Sequence, residues 1–587
     1  MASSDDHPRI DVATVSDKDA ELPEASGRRL GQARMLGWLR ASAAILSAVL
    51  TTIWVFRDVL FRGRLPGDIG DARWTIALHE HWYQVWRGQE SIRDLHFFYP
   101  LAKTLGTSDA FLVQGQLYSI PRALGIGLVD SWVIAQVLFF LLGAIGVAVL
   151  GKQVLSGVWT QVAFVVLTCA SYAVLAQTTH LQLNGLLSCS WIFVGLHNIA
   201  ARRNIKGGLA LVVIVPPVLA MSSWYAFVLV AIVLAFLGVF VILVSSARGV
   251  GAQLGQVGSD LLHALRSLLG IVLIACFVAG WAFVLWVYLP SRSLLPDSSW
   301  AEVVLFSPRL SDIVNASARG GGIWSPFYDR VFDATTFNPE LALGFTPILL
   351  GAFLLAGLIH IRSALLGSGQ PPRDLGRPGR SGLVAVWFTV IAVLLFFLID
   401  ERGVSLYRFF WFHVPGLESI RSPFRVQTLL FGLAAFVVLR TLELLWARSA
   451  QLRSVGWRGA VLAGGAVVLV LILIVENQRP IYESWTRTDL LAPALQAEVD
   501  EIRNSCDAVM LIDENSTDPS WVTAINAVML STISGVPTPQ GYSRADPIGH
   551  PGPGADAASL AAWMRGQGFR GRLCSVSPDS VQVVGGS

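Results

Sequence analysis

Long apolar runs separated by short basic or aromatic-polar connectors set the pattern of this chain. The hydrocarbon core of a bilayer is about 30 Å thick, which roughly 20 residues of helix cross. Runs of that kind fall at 38–59, 129–151, 157–176, 182–200, 207–222, 224–246, 267–289, 341–361, 383–399, 426–446 and 457–476, predicting about 11 transmembrane helices. The division between 207–222 and 224–246 rests on Pro216-Pro217 and Ser222-Ser223, which interrupt one long apolar run. Placing the N-terminus in the cytoplasm puts Lys152, Arg202-Arg203-Lys206, Arg248 with Arg266, Arg362 through Arg380, and Arg448 with Arg453 and Arg458 on the inner side. That agrees with the excess of basic residues in cytoplasmic connectors. The outward segments are then 60–128, 177–181, 222–224, 290–340, 400–425 and everything after 477.

The connectors carry patterns of their own. Trp74 to Arg87 has apolar residues at helical spacing without Gly or Pro, which predicts an amphipathic helix lying along the interface. Ser108-Asp109 reads as a helix cap, with the helix running from Ala110 to about Ile120, where Pro121 stops or kinks it. Residues 363–382 form a Pro/Gly/Arg-rich linker, and 1–36 a disordered polar tail whose Arg28-Arg29 anchors the first span. After Glu476 the composition turns soluble. Helices are expected at Pro493–Asn504, Trp521–Ser534 and Ala557–Gly566, with strands at Asp507–Asp513, Leu573–Val576 and Val581–Val584. The organisation is therefore 1–36 tail, 37–476 transmembrane module including the outer loop 60–128, and 477–587 a small extracytoplasmic α/β domain.

Composition agrees with this reading. Hydrophobic residues make up 53% and charged residues 14%, with mean hydropathy +0.58, where soluble proteins carry about 25% charged residues. A net charge of +3 gives no sign of a nucleic-acid partner. Cys169, Cys189 and Cys276 lie in spans. Cys506 and Cys574 lie at or near the starts of predicted outward strands, where an oxidising compartment permits a disulfide that spacing alone does not fix.

Chemistry gathers in the outward segments. Asp68 and Asp71 follow the first span, and an ionised carboxylate near a bilayer is costly unless it faces water, a cation or a polar substrate. The alternative is a solvated turn or a helix cap ahead of Trp74. His79-Glu80-His81 lacks the spacing of a zinc-binding HExxH helix and reads as an interfacial polar face, the alternative being that one histidine faces the site. Asp109 is either a cap or a substrate contact. Arg408, Arg421 and Arg425, around the aromatic run Phe409 to Phe412, suit a phosphate clamp. The alternative is interfacial anchoring or pairing with Glu401 and Glu418. Arg292 and Arg309 are similar in kind, and His180 and Gln182 either line a cavity or form a buried pair.

Gly67-Asp68-Ile69-Gly70-Asp71-Ala72-Arg73, Glu80-His81-Trp82, Phe97-Phe98-Tyr99-Pro100 and Leu105-Gly106-Thr107-Ser108-Asp109 together resemble the first outer loop of bacterial polytopic GT-C glycosyltransferases. Ser307-Pro308-Arg309, Arg421 to Arg425 and Gly541-Tyr542-Ser543 extend the resemblance. It implies a sugar transferred from a polyprenyl-phosphate-linked donor to an envelope glycan, lipid or protein on the outer face of the cytoplasmic membrane. It further implies that Asp71, or else Asp68, is the general base. Arg73, His81, Asp109, Arg408, Arg421 and Arg425 would contact substrate, and Asp68 with Asp71 would hold any divalent cation (Mg or Mn). The other function classes are a transporter or flippase of lipid-linked saccharides and a non-catalytic envelope-assembly protein. Against transport, the spans show no convincing repeat and almost no ionisable residue at their centres.

Overall fold

The computed structural model describes Leu39 and residues 41–177, 180–246, 251–316, 323–331, 339–366, 380–400, 402–452, 457–478, 485–491, 493–512, 519–543, 545–577 and 580–585. The expected tail, residues 367–379 of the linker, and Glu401 lie outside that set. The protein is a multi-pass membrane protein. Among the described residues, nine helices are long and apolar enough to cross a bilayer: Leu128–Val154, Val158–Ala176, Leu181–Ala200, Ile205–Ser222, Trp224–Val244, Leu268–Arg292, Pro347–Leu365, Arg380–Phe397 and Pro423–Ala447. The first and last of the eleven expected spans appear as the shorter apolar segments Ala41–Val55 and Gly464–Glu476. Ser223, in extended conformation, separates the helices at 205–222 and 224–246, while Pro216 and Pro217 stay inside the first of them. Neighbouring helices and local adjustments let membrane helices absorb such prolines.

Helix ends are closed by side chains that the sequence supplies locally. Asn204 accepts from the Gly207 amide at 2.9 Å, and Ser267 accepts from Gly270 at 3.2 Å. Glu443 closes the start of the Val158 helix from another span, accepting from the Ser156 and Gly157 amides at 2.6 and 2.7 Å. The helices at 181–200 and 205–222 cross at Gly195 and Gly208. A Cβ on either would lie 2.8 or 2.6 Å from the carbonyl oxygen of the other, so only glycine permits the approach.

The connector after the first apolar helix folds into two packed helices, Ile69–Trp86 and Leu112–Ala123. The first is not laid on a membrane surface as its spacing suggested. Trp74, Leu78 and Trp82 face a cluster with Phe97, Phe98 and Phe111, while Ala72 and Ile76 face Tyr118, Trp132 and Trp485. Apolar residues thus cover more than one side of the helix, and a helix apolar around most of its girth is buried. Burying Leu78 and Trp82 contributes on the order of 1.5–3 kcal/mol each. The second helix begins after Phe111, not at Ala110, and runs through Pro121 to Ala123.

The C-terminal segment forms a three-stranded sheet of β1 (Ala508–Leu511), β2 (Leu573–Ser577) and β3 (Ser580–Gly585), in that order. β1 and β2 are parallel, so the chain crosses over between them through the helices Ser520–Ser534 and Ala557–Gly566. β2 and β3 are antiparallel. Val509 and Leu511 pack on one face with Ile502 and Leu530, and Ala508 and Met510 on the other with Leu560 and Met564. The outer edge of β1 is covered: the Val509 amide donates to Pro537 O at 2.8 Å and that of Leu511 to Gln540 Oε1 at 2.7 Å. Cys506 and Cys574 form a disulfide, with Cα atoms 5.7 Å apart.

This domain is fastened to the connector helices. The Phe98 and Tyr99 amides donate to Gln540 O and Thr538 O at 3.1 and 3.0 Å, and Thr538 returns a bond to His96 O at 2.8 Å. A Cβ on Gly541 would come 2.5 Å from the Phe98 ring, which is why the Phe-Phe-Tyr-Pro and Gly-Tyr-Ser segments fit together. Trp485 donates to Gly67 O at 3.0 Å. One face of the bundle therefore carries the two connector helices with the domain on top.

Candidate functional site

On that domain-bearing face, four segments far apart in sequence meet at Asp71. The Ile69–Trp86 helix begins at Asp68, whose Oδ1 accepts from the Gly70 and Asp71 amides at 2.7 and 3.3 Å. Asp68 is thus committed as the helix cap. The cap leaves Asp71 in the first turn, where a carboxylate is favoured by the positive end of the helix. Its Oδ2 lies 2.7 Å from Nδ1 of His180, which sits just ahead of the Leu181–Ala200 span. The other imidazole nitrogen, Nε2, lies 2.8 Å from Glu340 Oε1. Arg425, at the head of the Pro423–Ala447 span, grips Glu340 in turn: Nε donates to Oε2 at 2.9 Å and a terminal nitrogen to Oε1 at 2.5 Å. Ser422 adds a donor to Glu340 Oε2 at 3.0 Å.

Both ring nitrogens of His180 face carboxylate oxygens, so both must carry protons for both contacts to be hydrogen bonds. Burial and the Arg425 charge oppose that state. The Glu340 charge, together with hydrogen bonds from both acids, outweighs them and raises the imidazole above its ordinary value. Burial likewise pushes Glu340 up, but Arg425 and His180 overcome it and hold this carboxyl well below the usual range. The series Asp71–His180–Glu340–Arg425 alternates in charge and sums to neutrality, the condition under which buried ions persist. Asp71 Oδ2 is engaged, and no hydrogen bond among the described residues reaches Oδ1. The side chain stays 14% exposed, so Oδ1 is the atom available to a substrate.

Two further groups border the site. The Asp109 carboxylate accepts from the Tyr225 amide and the Ser223 hydroxyl, each at 3.4 Å, so it caps the Trp224 helix and not the helix that follows it in sequence. Burial raises its pKa to about 6 against these hydrogen bonds and the nearby Arg425 charge. Tyr542 of the C-terminal domain packs edge-on against Trp74 and feels both sides of the site. Burial and the Asp71 charge push its hydroxyl up to about 12, against the opposing charge of Arg421.

Several residues expected at the substrate lie elsewhere. Arg73 is turned to the C-terminal segment, donating to Leu490 O and Asp489 O at 2.7 and 2.6 Å. His81 is buried between Glu90 and Ile92 O, the latter at 3.1 Å. The other two residues of that triplet are buried as well, so the expected interfacial polar face is absent. His79 contacts Gln136 at 3.1 Å, and Glu80 binds Arg122 at 3.0 Å. Arg408 is exposed, over the rings of Trp300 and Phe412 at 5.9 Å, and apart from Asp71 and its partners. Arg421 pairs with Glu302 at 3.0 Å yet remains 39% exposed. Arg292 pairs with Glu418, also at 3.0 Å, and Gln182 is buried. Glu340 went unnoticed in the sequence. Its only local signal is a carboxylate in an outward segment.

Asp68 Oδ1 is engaged by two amides and both nitrogens of His180 are committed, and among the described residues no group of three or more His, Cys, Asp or Glu is arranged to hold a metal ion.

No protein-family model matches the sequence, and no curated protein matches it. Among solved structures, the chain is similar to an oligosaccharyltransferase of Archaeoglobus fulgidus in the apo form, at 12% identity and a TM-score of 0.40 over 86% of this chain. It spans 65% of the length of that protein. It is also similar to ArnT from Cupriavidus metallidurans bound to undecaprenyl phosphate, at 11% identity and a TM-score of 0.33, over 86% of this chain and 85% of that one.

Proposed function

We propose that this protein is a membrane glycosyltransferase of GT-C type, moving a sugar from a polyprenyl-phosphate donor to an envelope acceptor on the outer face of the cytoplasmic membrane. The observation that carries the reading is the state of Asp71. One of its oxygens is held by His180 and the other is unengaged, at a partly buried position, and the charges of Asp71 and Arg421 both act on the Tyr542 hydroxyl. A carboxylate held in this way has what a general base needs: a fixed direction, and one oxygen within reach of a hydroxyl.

In the reaction, an acceptor hydroxyl donates its proton to Asp71 Oδ1 while its oxygen attacks the anomeric carbon. The bond from that carbon to the phosphate oxygen breaks, and the lipid phosphate leaves with the electron pair. Arg421 receives the developing phosphate charge, because its guanidinium is partly exposed and only partly used by Glu302. Arg425 is already saturated by Glu340, so its part is to fix Glu340 and, through it, His180. Arg408 lies outside this arrangement.

The test is turnover of polyprenyl-phosphoryl sugars by the full chain in lipid, comparing wild type with Asp71→Asn and Asp68→Asn. Asp71→Asn is expected to lower kcat by roughly 10²–10⁴-fold, while Asp68→Asn, which keeps an accepting oxygen for the cap, retains most activity. Full activity of Asp71→Asn overturns the assignment. Passage of lipid-linked glycan across the bilayer without consumption of any donor favours transport instead.

A further inference from the structure

On another flank of the Ile69–Trp86 helix, a groove of about 990 Å3 opens between the connector helices and the C-terminal domain. Ala77, Glu80, His81 and Gln84 line it at helical spacing, and Gln496, Arg503 and Thr532 face them from the domain. Asp71 is not part of the lining. It lies six residues before Ala77, about 9 Å along the helix axis and turned by about 120° around it. The groove is therefore separate from the site already described. Its volume is at the upper end of the roughly 300–1,000 Å3 usual for ligand sites.

The chemistry of the lining narrows the occupant. Glu80 is bound by Arg122 at 3.0 and 3.1 Å and by Gln84 at 2.7 Å, and Tyr118 also donates to it. Glu90 is shared by His81 and His96, the latter at 2.6 Å. Asp130 pairs with Arg487. Arg503 is held by Asp500 at 3.0 Å and by the carbonyls of Ser534 and Ile533. The charges of these groups are matched, and the remaining cation, Arg87, is exposed at the rim over the Tyr83 ring at 5.8 Å, so the wall holds no cluster of unpaired cations of the kind that grips a phosphate or another polyanion. Fixed donors and acceptors alternate at short range, interleaved with Leu95, Phe97 and Met529. Gln84 Oε1 is a buried acceptor with no hydrogen-bond partner. A ligand that presents hydroxyls beside apolar C–H faces satisfies this wall.

We propose that the groove is a second, non-reacting site for a neutral saccharide, which under the reading above is the acceptor glycan at a distance from the sugar being extended. Its walls come from both the loop and the domain, so it exists only when the two are docked.

The experiment is equilibrium binding of neutral hexose and pentose tetrasaccharides to the purified full chain in lipid nanodiscs, with a sulfated tetrasaccharide and inorganic phosphate as charged probes. Wild type is expected to bind a neutral probe saturably and the charged probes at least tenfold more weakly. Thr532→Trp, which fills the groove from a half-buried position, and Gln84→Leu, which removes the unmet acceptor, are each expected to weaken binding at least tenfold. Asp71→Asn binds as wild type does. Retention of the Cys506–Cys574 gel shift and of the elution volume reports folding. If Thr532→Trp misfolds, Gln84→Leu decides. Failure of every neutral probe to bind wild type overturns the proposal, as do tighter binding of the charged probes and unchanged binding by folded Gln84→Leu. Because binding is read without turnover, inactivity toward every lipid-linked donor leaves this result standing and removes only the catalytic reading.

Discussion

His180 donates to the Asp71 carboxylate at 2.7 Å although 109 residues separate the two in the chain. The contact joins the first turn of a connector helix to the approach of a membrane span, and it fixes which oxygen of Asp71 is free. A protonated imidazole can satisfy Asp71 and Glu340 at once. A neutral one has a single N–H and must release one of them.

This dependence has a definite direction with pH. The His180 value is raised in the folded protein, so its stabilising contribution is complete below the unfolded value of about 6.5 and fades as pH rises through the higher folded value. The kcat profile is expected to fall on the alkaline side for this reason. His180→Gln should remove that limb and lower kcat by about 10²-fold, the cost of a misplaced catalytic group. A pH–rate profile of both proteins checks it, and an unchanged alkaline limb in the variant counts against the role.

Glu340 and Arg425 form a buried pair, and removing one partner leaves an uncompensated charge. Glu340→Leu and Arg425→Met are each expected to destabilise by roughly 3–5 kcal/mol, and the double variant by clearly less than either. Thermal unfolding in detergent, read through a double-mutant cycle, measures the coupling. Simple additivity would mean that the pair is not a unit.

Much of the fold was legible in the sequence, because crossing a bilayer demands a long apolar run that no neighbour can disguise. The C-terminal strands were legible for a similar reason, since short apolar stretches between turns have few alternatives. The site was legible only in part. Asp71 stands in a Gly-Asp motif, but Glu340 and His180 acquire meaning from each other across a fold that no local pattern encodes. Arg73 was unreadable for the converse reason. A polar residue on a helix looks the same in sequence whether it meets a substrate, a carbonyl of the C-terminal segment or a buried glutamate. Asp109 was recognised as a cap, though of a helix more than a hundred residues away.

Burial raises Asp109 to about 6, so above that pH the folded state holds a charge that the surrounding protein opposes. Because the folded value exceeds the unfolded one, stability from this group falls as pH rises between the two. Asp109→Asn keeps an accepting oxygen for the Tyr225 amide. It is expected to stabilise the protein by on the order of 1–2 kcal/mol at pH 7.5, with the difference shrinking toward pH 4. Melting temperatures at the two pH values provide the check. Destabilisation at pH 7.5 that disappears at pH 4 would mean that the charge is needed.

The disulfide between Cys506 and Cys574 spans 68 residues of sequence. A crosslink of that length limits the unfolded domain by roughly 4 kcal/mol. Reduction, or Cys506→Ser, is expected to lower the unfolding temperature of the C-terminal domain and to abolish a redox-dependent gel shift. A shift that survives Cys506→Ser would exclude this pairing.

The bond from Trp485 to Gly67 bridges 418 residues and has a consequence for biogenesis. At about 5–20 residues per second, a ribosome needs roughly 20–80 s after making Gly67 before Trp485 exists. Through that interval the connector helices are already synthesised but lack the partner that buries them. The C-terminal domain therefore docks last, and a chain cut short before it lacks the cover that Tyr542 gives Trp74 and Gly541 gives Phe98. Those bared aromatics give quality-control proteases a way to tell an unfinished copy from a finished one.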